Sequence, residues 1–179
     1  VMHEPTNTLH QLDAQYQWKR QTKKFESPAS TFISSKDGIL ATLMGTFPRS
    51  FAPQGALIRF KEDAIESLAG TLHRPTDVLP LDLNQDGHED LAVTEHGHML
   101  GSVFWMEKTD EGYKRHTLLD LPGGLNIAKG NFNDDDIPDL VILTGQAREA
   151  VHLFLSTGPG RFDHRMILMR HPAWGHSHI

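Results

Sequence analysis

The pattern Asp82-x-Asn84-x-Asp86-Gly87-x-x-Asp90 occurs a second time as Asn131-x-Asn133-x-Asp135-Asp136-x-x-Asp139, the first positions lying 49 residues apart, from Asp82 to Asn131. No other feature narrows the fold as far. A tightly coiled loop can turn oxygen-bearing side chains at this spacing toward one centre, and a hard cation such as calcium takes six to eight oxygens at about 2.3–2.6 Å. Gly87 follows the third oxygen position, where such a loop turns sharply and a residue without Cβ adopts positive φ at little cost. The candidate metal ligands are therefore Asp82, Asn84, Asp86, Asp90 and the carbonyl of His88, then Asn131, Asn133, Asp135, Asp139 and the carbonyl of Ile137. One copy alone reads equally well as an Asx-rich turn without an ion, because Asp, Asn and Gly also dominate ordinary turns. The recurrence favours the ion.

An EF-hand loop would place a bidentate Glu at its twelfth position and helices on both sides. Position twelve from Asp82 is Val93, and Leu91-Ala92-Val93-Thr94 is a short apolar, β-prone run. The loop thus leads into a buried strand. A weaker copy upstream, Ser35-Lys36-Asp37-Gly38-Ile39-Leu40-Ala41, keeps the Asp-Gly pair but sets Ile33 and Ala41 on the outer ligand positions. It is expected to keep the turn and hold no ion.

Around these loops, runs of β-prone residues recur in fours. Thr31–Ile33, Leu40–Leu43, Ala56–Phe60 and Ser67–Leu72 form a first set, and Asp77–Leu81, Asp90–Thr94, Ser102–Met106 and Tyr113–Leu119 a second. Asn126–Lys129, Asp139–Thr144, Val151–Leu155 and Arg161–Leu168 form a third. Trp18–Thr22 matches Tyr113–Thr117 in pattern and reads as the last strand of a preceding unit. The one helical segment expected is a short one among Asp63 to Leu68. Four short strands repeated at a period of 20 to 50 residues indicate a propeller or related array. The predicted fold is all-β, with about three four-stranded antiparallel blades at 31–74, 75–122 and 123–172, residues 1–30 closing an earlier blade or forming a linker, and 173–179 opening another. Three blades are too few for a ring, since propellers use four to eight, so the remaining blades are expected from the same or another polypeptide.

Composition removes several classes. The chain of 179 residues has no cysteine, hence no disulfide framework, thiolate metal site or cysteine nucleophile. Its formal charge of −6 argues against a nucleic-acid surface, and no apolar run reaches the roughly 18 residues of a membrane-spanning helix.

Asp82-x-Asn84-x-Asp86-Gly87-x-x-Asp90-Leu91 and its second copy resemble the calcium motif of FG-GAP and VCBS repeats, the blades of integrin-α-like β-propellers, over roughly Thr31 to Ile179. Asn131 in place of the first Asp, and Asp136 in place of the glycine, depart from that motif. The resemblance implies calcium as cofactor, an extracellular, periplasmic or lumenal location, and use in adhesion or recognition of a protein or carbohydrate partner. A minority of such proteins are enzymes.

If each loop joins the first strand of a unit to its second, all loops share one end and the preceding connections share the other. That other end collects the candidate binding residues Asp77, Glu95, His96, His98, Asn126, Arg148, His171, Trp174 and His176, with Gln146 among them. Asp77, Asn126 and His176 fall in one repeat column. His96-Gly97-His98 and His176-Ser177-His178 offer paired imidazoles to a transition metal, but a chain with 12 histidines forms such pairs by composition alone. Trp174 lies between Pro172 and Gly175, where an indole could stack on a sugar or anchor a protein. Phe104-Trp105 and Phe154-Leu155 read as packing between blades. The function expected is a calcium-stabilised binding or structural module. The alternative is a carbohydrate lyase or dehydratase using His96, His176 and Arg148 at the channel mouth.

Overall fold

A computed structural model describes residues 8–12, 18–24, 27–46, 51–61, 64–97, 99–135, 137–145 and 149–170. Among them every regular element is a strand. In chain order these are β1 (Thr8–Leu12), β2 (Trp18–Lys24), β3 (Ala29–Ser35), β4 (Gly38–Leu43), β5 (Gly55–Lys61), β6 (Ala64–Leu72) and β7 (Pro75–Leu81). They continue as β8 (Asp90–Glu95), β9 (Val103–Thr109), β10 (Gly112–Leu119), β11 (Gly124–Gly130), β12 (Asp139–Thr144), β13 (Glu149–Gly158) and β14 (Arg161–Arg170). After the β1–β2 hairpin come three four-stranded antiparallel sheets, each a simple meander in sequence order: β3 to β6, β7 to β10 and β11 to β14. The chain is all-β, and the described sheets do not close into a ring.

Two expectations are corrected. Of the segment read as helical, Asp63 to Leu68, Asp63 lies outside the described residues and the rest lies in β6, with Phe60 opposite Ile65 and Ile58 opposite Ser67. Pairing with the apolar strand β5 outweighs a local preference that is weak for so short a segment. The overlay of the first unit on the second also fails. Ser35 pairs directly with Gly38 across a two-residue turn, so Gly38 takes the place that Asp90 holds opposite Leu81, and Ala41 sits mid-strand opposite Phe32. Gly38 has φ of 136°, and a Cβ there would fall 2.0 Å from the Phe60 carbonyl oxygen. The first unit has a hairpin where the others have eight-residue loops.

The sheets stack face to face because their strands are apolar on both sides, as strands covered on both faces must be. Leu40, Leu57 and Leu72 of the first sheet bury against Val78, Leu91, Val93, Phe104 and Met106 of the second. The opposite side of the second sheet, with Leu81, Ala92, Val103, Trp105 and Leu119, buries against Ile127, Leu140, Ile142 and Phe154 of the third. The first strands run side by side, β7 touching both β3 and β11.

A repeated set of side-chain bonds pins those first strands together. Ser30 Oγ donates to the Pro75 carbonyl at 2.8 Å, and Thr76 Oγ1 to the Gly124 carbonyl at 2.8 Å. Each hydroxyl also meets a threonine of its own second strand, Thr42 at 2.8 Å and Thr94 at 2.9 Å. One residue on, Thr31 Oγ1 donates to the Thr76 carbonyl at 2.8 Å, and Asp77 Oδ2 accepts the Ile127 N–H at 3.0 Å. Gly124 permits the approach, since a Cβ there would lie 2.8 Å from the Thr94 Cβ.

Candidate functional site

The loop at 82–89 and the described residues of the loop at 131–138 fold alike, and the likeness extends to hydrogen bonds. Gln85 and Asp134, 49 residues apart, both take left-handed backbone, φ 61° and 58°. Asp90 and Asp139, each fully buried at the start of a second strand, accept one N–H from the loop and one from the third strand. Asp90 takes Leu83 N–H at 3.0 Å and Lys108 N–H at 2.8 Å, while Asp139 takes Phe132 N–H at 2.6 Å and Ser156 N–H at 2.7 Å. A carboxylate has about four lone-pair sites, so two N–H donors do not exhaust it.

The remaining oxygens crowd the loop interior. Asp86 Oδ1 accepts His88 N–H at 2.8 Å, and Asp135 Oδ1 accepts Ile137 N–H at 2.9 Å. Asn84 Nδ2 donates to Asp86 at 2.9 Å, and Asn133 Nδ2 to Asp135 at 2.8 Å. Asp82 accepts Asp86 N–H at 3.2 Å and Gly87 N–H at 2.9 Å, whereas Asn131 accepts Asp134 N–H at 2.8 Å.

The charges of the first loop act on one another. Burial raises the Asp90 carboxyl above its ordinary range, the N–H groups of Lys108 and Leu83 pull it back, and the carboxylates of Asp86 and Asp82 push it up again. Asp86 is held below the usual carboxylate range by His88 N–H and then Asn84. The donors are all oxygens, and three carboxylates sense each other, which suits a hard cation in kind. Yet no three acidic or imidazole side chains among the described residues are grouped so as to hold a metal ion. The oxygens are engaged with the loop's own N–H groups.

Neighbouring sheets brace the first loop. Lys36 in the first sheet's turn donates its N–H to Glu89 at 3.0 Å, and Gly160 in the third sheet's last turn donates its N–H to the Leu83 carbonyl at 3.0 Å. Beside the loop lies an open cleft of about 530 Å³ lined by Asp86, His88, Glu107, Lys108, Thr109 and Asp110. Glu107 was not singled out from sequence. It accepts Asn84 Nδ2 at 3.3 Å and meets His116 Nε2 at 2.7 Å, with the His116 ring stacked 4.5 Å from Trp105. The bond to His116 holds Glu107 below the usual carboxylate range; burial opposes it, and the bond to Asn84 adds a lesser pull in the same direction as His116. The signal that could have found it is alternation on β9, which puts Glu107 on the face of Trp105. In the second loop the Ser156 carbonyl accepts Asn133 Nδ2 instead, at 3.2 Å.

At the opposite end, the candidate binding residues that are described serve the framework. Glu95 is fully buried. It accepts His73 N–H at 2.7 Å and Ser102 Oγ at 2.9 Å, and pairs with Arg115 at 3.1 Å. Arg115 lies 3.6 Å over the Phe104 ring. Asp77 accepts its neighbour Val78 N–H at 2.9 Å besides the bond to Ile127. Asn126 is half-buried opposite Leu143, and half-buried His96 donates its N–H to the Arg74 carbonyl at 3.0 Å. His98, Gln146, Arg148, His171, Trp174 and His176 lie outside the described residues.

A further pair was also missed. Buried His152 on β13 directs Nδ1 at His164 Nε2 on β14, 3.0 Å away, and Nε2 at Thr144 Oγ1, 3.2 Å away. The Thr144 hydroxyl donates to the Ala150 carbonyl at 3.4 Å.

No protein-family model, curated protein or solved structure matches the chain.

Proposed function

We propose that the three sheets are blades of a β-propeller of FG-GAP/VCBS type, in which the loops at 82–89 and 131–138 bind calcium and the whole serves as a binding or structural module outside the cytoplasm. The observation that carries this reading is the match between the two loops: a left-handed residue at the same position, the same Asn–Asp bond, and the same buried Asp tying loop to third strand, 49 residues apart. Ordinary turns have no need of such identity. Asp82, Asn84, Asp86, Asp90 and the His88 carbonyl would hold the first ion, and Asn131, Asn133, Asp135, Asp139 and the Ile137 carbonyl the second. Calcium would neutralise carboxylates that otherwise repel one another and would fix the inner hairpin. With the loops used for structure, recognition of a protein or carbohydrate falls to the connections at the other end, where binding groups on loops are carried by a rigid scaffold.

Calorimetric titration with calcium tests this. Two binding events of unequal strength are expected, the tighter at the loop with three carboxylates, because ligand charge tunes affinity. Asp86→Ala should remove the tighter event and Asp135→Ala the weaker. These positions are preferable to Asp90 and Asp139, whose loss would disturb the sheets themselves. Absence of calcium-dependent heat, together with a melting temperature unmoved by calcium, would refute the proposal.

A further inference from the structure

We infer that Glu107 on β9 is a positioning residue for the loop at 82–89: it holds the Asn84 amide with its oxygen turned into the loop, and so sets the calcium affinity of that loop without being a ligand itself. This rests on the calcium reading above and deepens it.

A side-chain amide has an oxygen end, which a hard cation accepts, and a nitrogen end, which it does not. The groups around the amide decide which end faces the centre. Asn84 Nδ2 meets two carboxylate oxygens, Asp86 Oδ2 at 2.9 Å and Glu107 Oε1 at 3.3 Å. Ionised carboxylates only accept, so the nitrogen lies on their side. Asn84 Oδ1 is left to the loop backbone, where it accepts Asp86 N–H at 3.2 Å. The two carboxylates are not equivalent. Asp86 is among the residues that would hold the ion, and a lone pair given to calcium is withdrawn from Nδ2. Glu107 stands outside that set and keeps its hold.

Glu107 is itself fixed. Its other oxygen, Oε2, meets His116 Nε2 at 2.7 Å, with Lys114 Nζ 3.8 Å away. The His116 ring stacks 4.5 Å from that of Trp105, which is buried between the second and third sheets. Gly160, in the last turn of the third sheet, closes over the same spot: a Cβ there would come 3.1 Å from Trp105 Cζ2 and 3.9 Å from Asn84 Cβ.

The third sheet solves the same problem differently. Met106 pairs with Leu91 and Phe154 with Leu140, so Glu107 corresponds to Leu155 and Lys108 to Ser156. Leu155 offers no side-chain acceptor, and Asn133 Nδ2 donates to the Ser156 carbonyl at 3.2 Å. A main-chain carbonyl orients the amide in the second loop, whereas a side chain that substitution can remove does so in the first. The second loop is therefore an internal control.

Calorimetric titration of the wild type, Glu107→Leu and Glu107→Gln with calcium tests the inference, together with NMR of the Asn84 side-chain amide in chelator. Leucine, the residue the third sheet has at this place, removes the acceptor, while glutamine removes the charge and keeps an acceptor. Partners that orient a metal ligand typically change affinity by about ten- to hundredfold, so Glu107→Leu should weaken the tighter event by that factor and leave the weaker one unchanged. Glu107→Gln should bind nearly as the wild type does. In chelator the Asn84 amide signals should move in the leucine variant and return toward their wild-type positions in the glutamine variant. A glutamine variant as weak as the leucine one would overturn the inference, because charge or direct ligation would then account for the loss. So would a tighter event that leucine leaves unmoved, a weakening of both events alike, or Asn84 signals indifferent to both substitutions. Absence of calcium heat from the wild type would refute the calcium reading itself, and the Asn84 signals in chelator would still report whether Glu107 holds the amide.

Discussion

Acidification should weaken the third sheet through one histidine. His152 is buried between β12 and β14, its Nε2 3.2 Å from the Thr144 hydroxyl and its Nδ1 3.0 Å from His164 Nε2. Burial, and then the charge His164 can carry, push the His152 imidazole down from the ordinary 6.5 to about 4. An unfolded chain protonates the same residue near 6.5, so the folded state favours the neutral form. The stability this provides is complete above pH 6.5 and is lost as pH falls toward about 4. At about 1.4 kcal/mol per pH unit, the interval is worth about 3 kcal/mol. Denaturant unfolding at a series of pH values across that window, on the wild-type chain and on His152→Leu, isolates the effect. The wild type should lose about 3 kcal/mol more than the variant between the two ends. A variant that loses stability as steeply as the wild type, or an NMR titration placing the His152 midpoint near 6.5, would refute the reasoning.

Three further perturbations follow from buried carboxylates. Asp90→Ala removes the acceptor of Leu83 N–H and Lys108 N–H, and Asp139→Ala removes that of Phe132 N–H and Ser156 N–H; each should cost about 3–5 kcal/mol in chelator, measured by denaturant melts, because buried donors are left without partners. Glu95→Ala should cost less, about 1–3 kcal/mol, by leaving the His73 N–H without its acceptor, since Arg115 keeps its 2.7 Å bond to Ser102 Oγ; Glu95→Gln should cost less still because the amide oxygen can accept, and equal losses for both variants would show that charge, not hydrogen bonding, dominates there.

Much of the fold was legible because strands covered on both faces write themselves as apolar runs bounded by Gly, Asp and Pro. The strands of the second and third units begin and end within a few residues of where their runs do. The helix expected around Asp63 to Leu68 failed because the partner that fixes that segment, β5, enters only through pairing. The first unit misled for another reason: an Asp-Gly pair marks a turn of any length, and only the Ser35–Gly38 pairing reveals a two-residue one. The loops were legible as oxygen spacings, which follow from local sequence. What Asp90 and Asp139 do besides was not, since their donors Lys108 and Ser156 are far along the chain. Glu95 looked like an open-end binding residue for the same reason, its partners Ser102 and Arg115 being brought in by β9 and β10.

The hydroxyl and carboxylate pins between first strands bear on how this chain comes apart. Ser30, Thr31, Thr76 and Asp77 each bond to the backbone of the following sheet. A sheet that frays at its first strand therefore leaves its predecessor with side-chain donors or acceptors facing nothing, in addition to bared leucines. Melting should consequently run as a nearest-neighbour process, in which losing one sheet lowers the stability of the next, rather than as independent events. Excising a single sheet for study would cut through such pins on one side at least, and for the middle sheet on both. The smallest piece that keeps one set of pins whole is a pair of adjacent sheets.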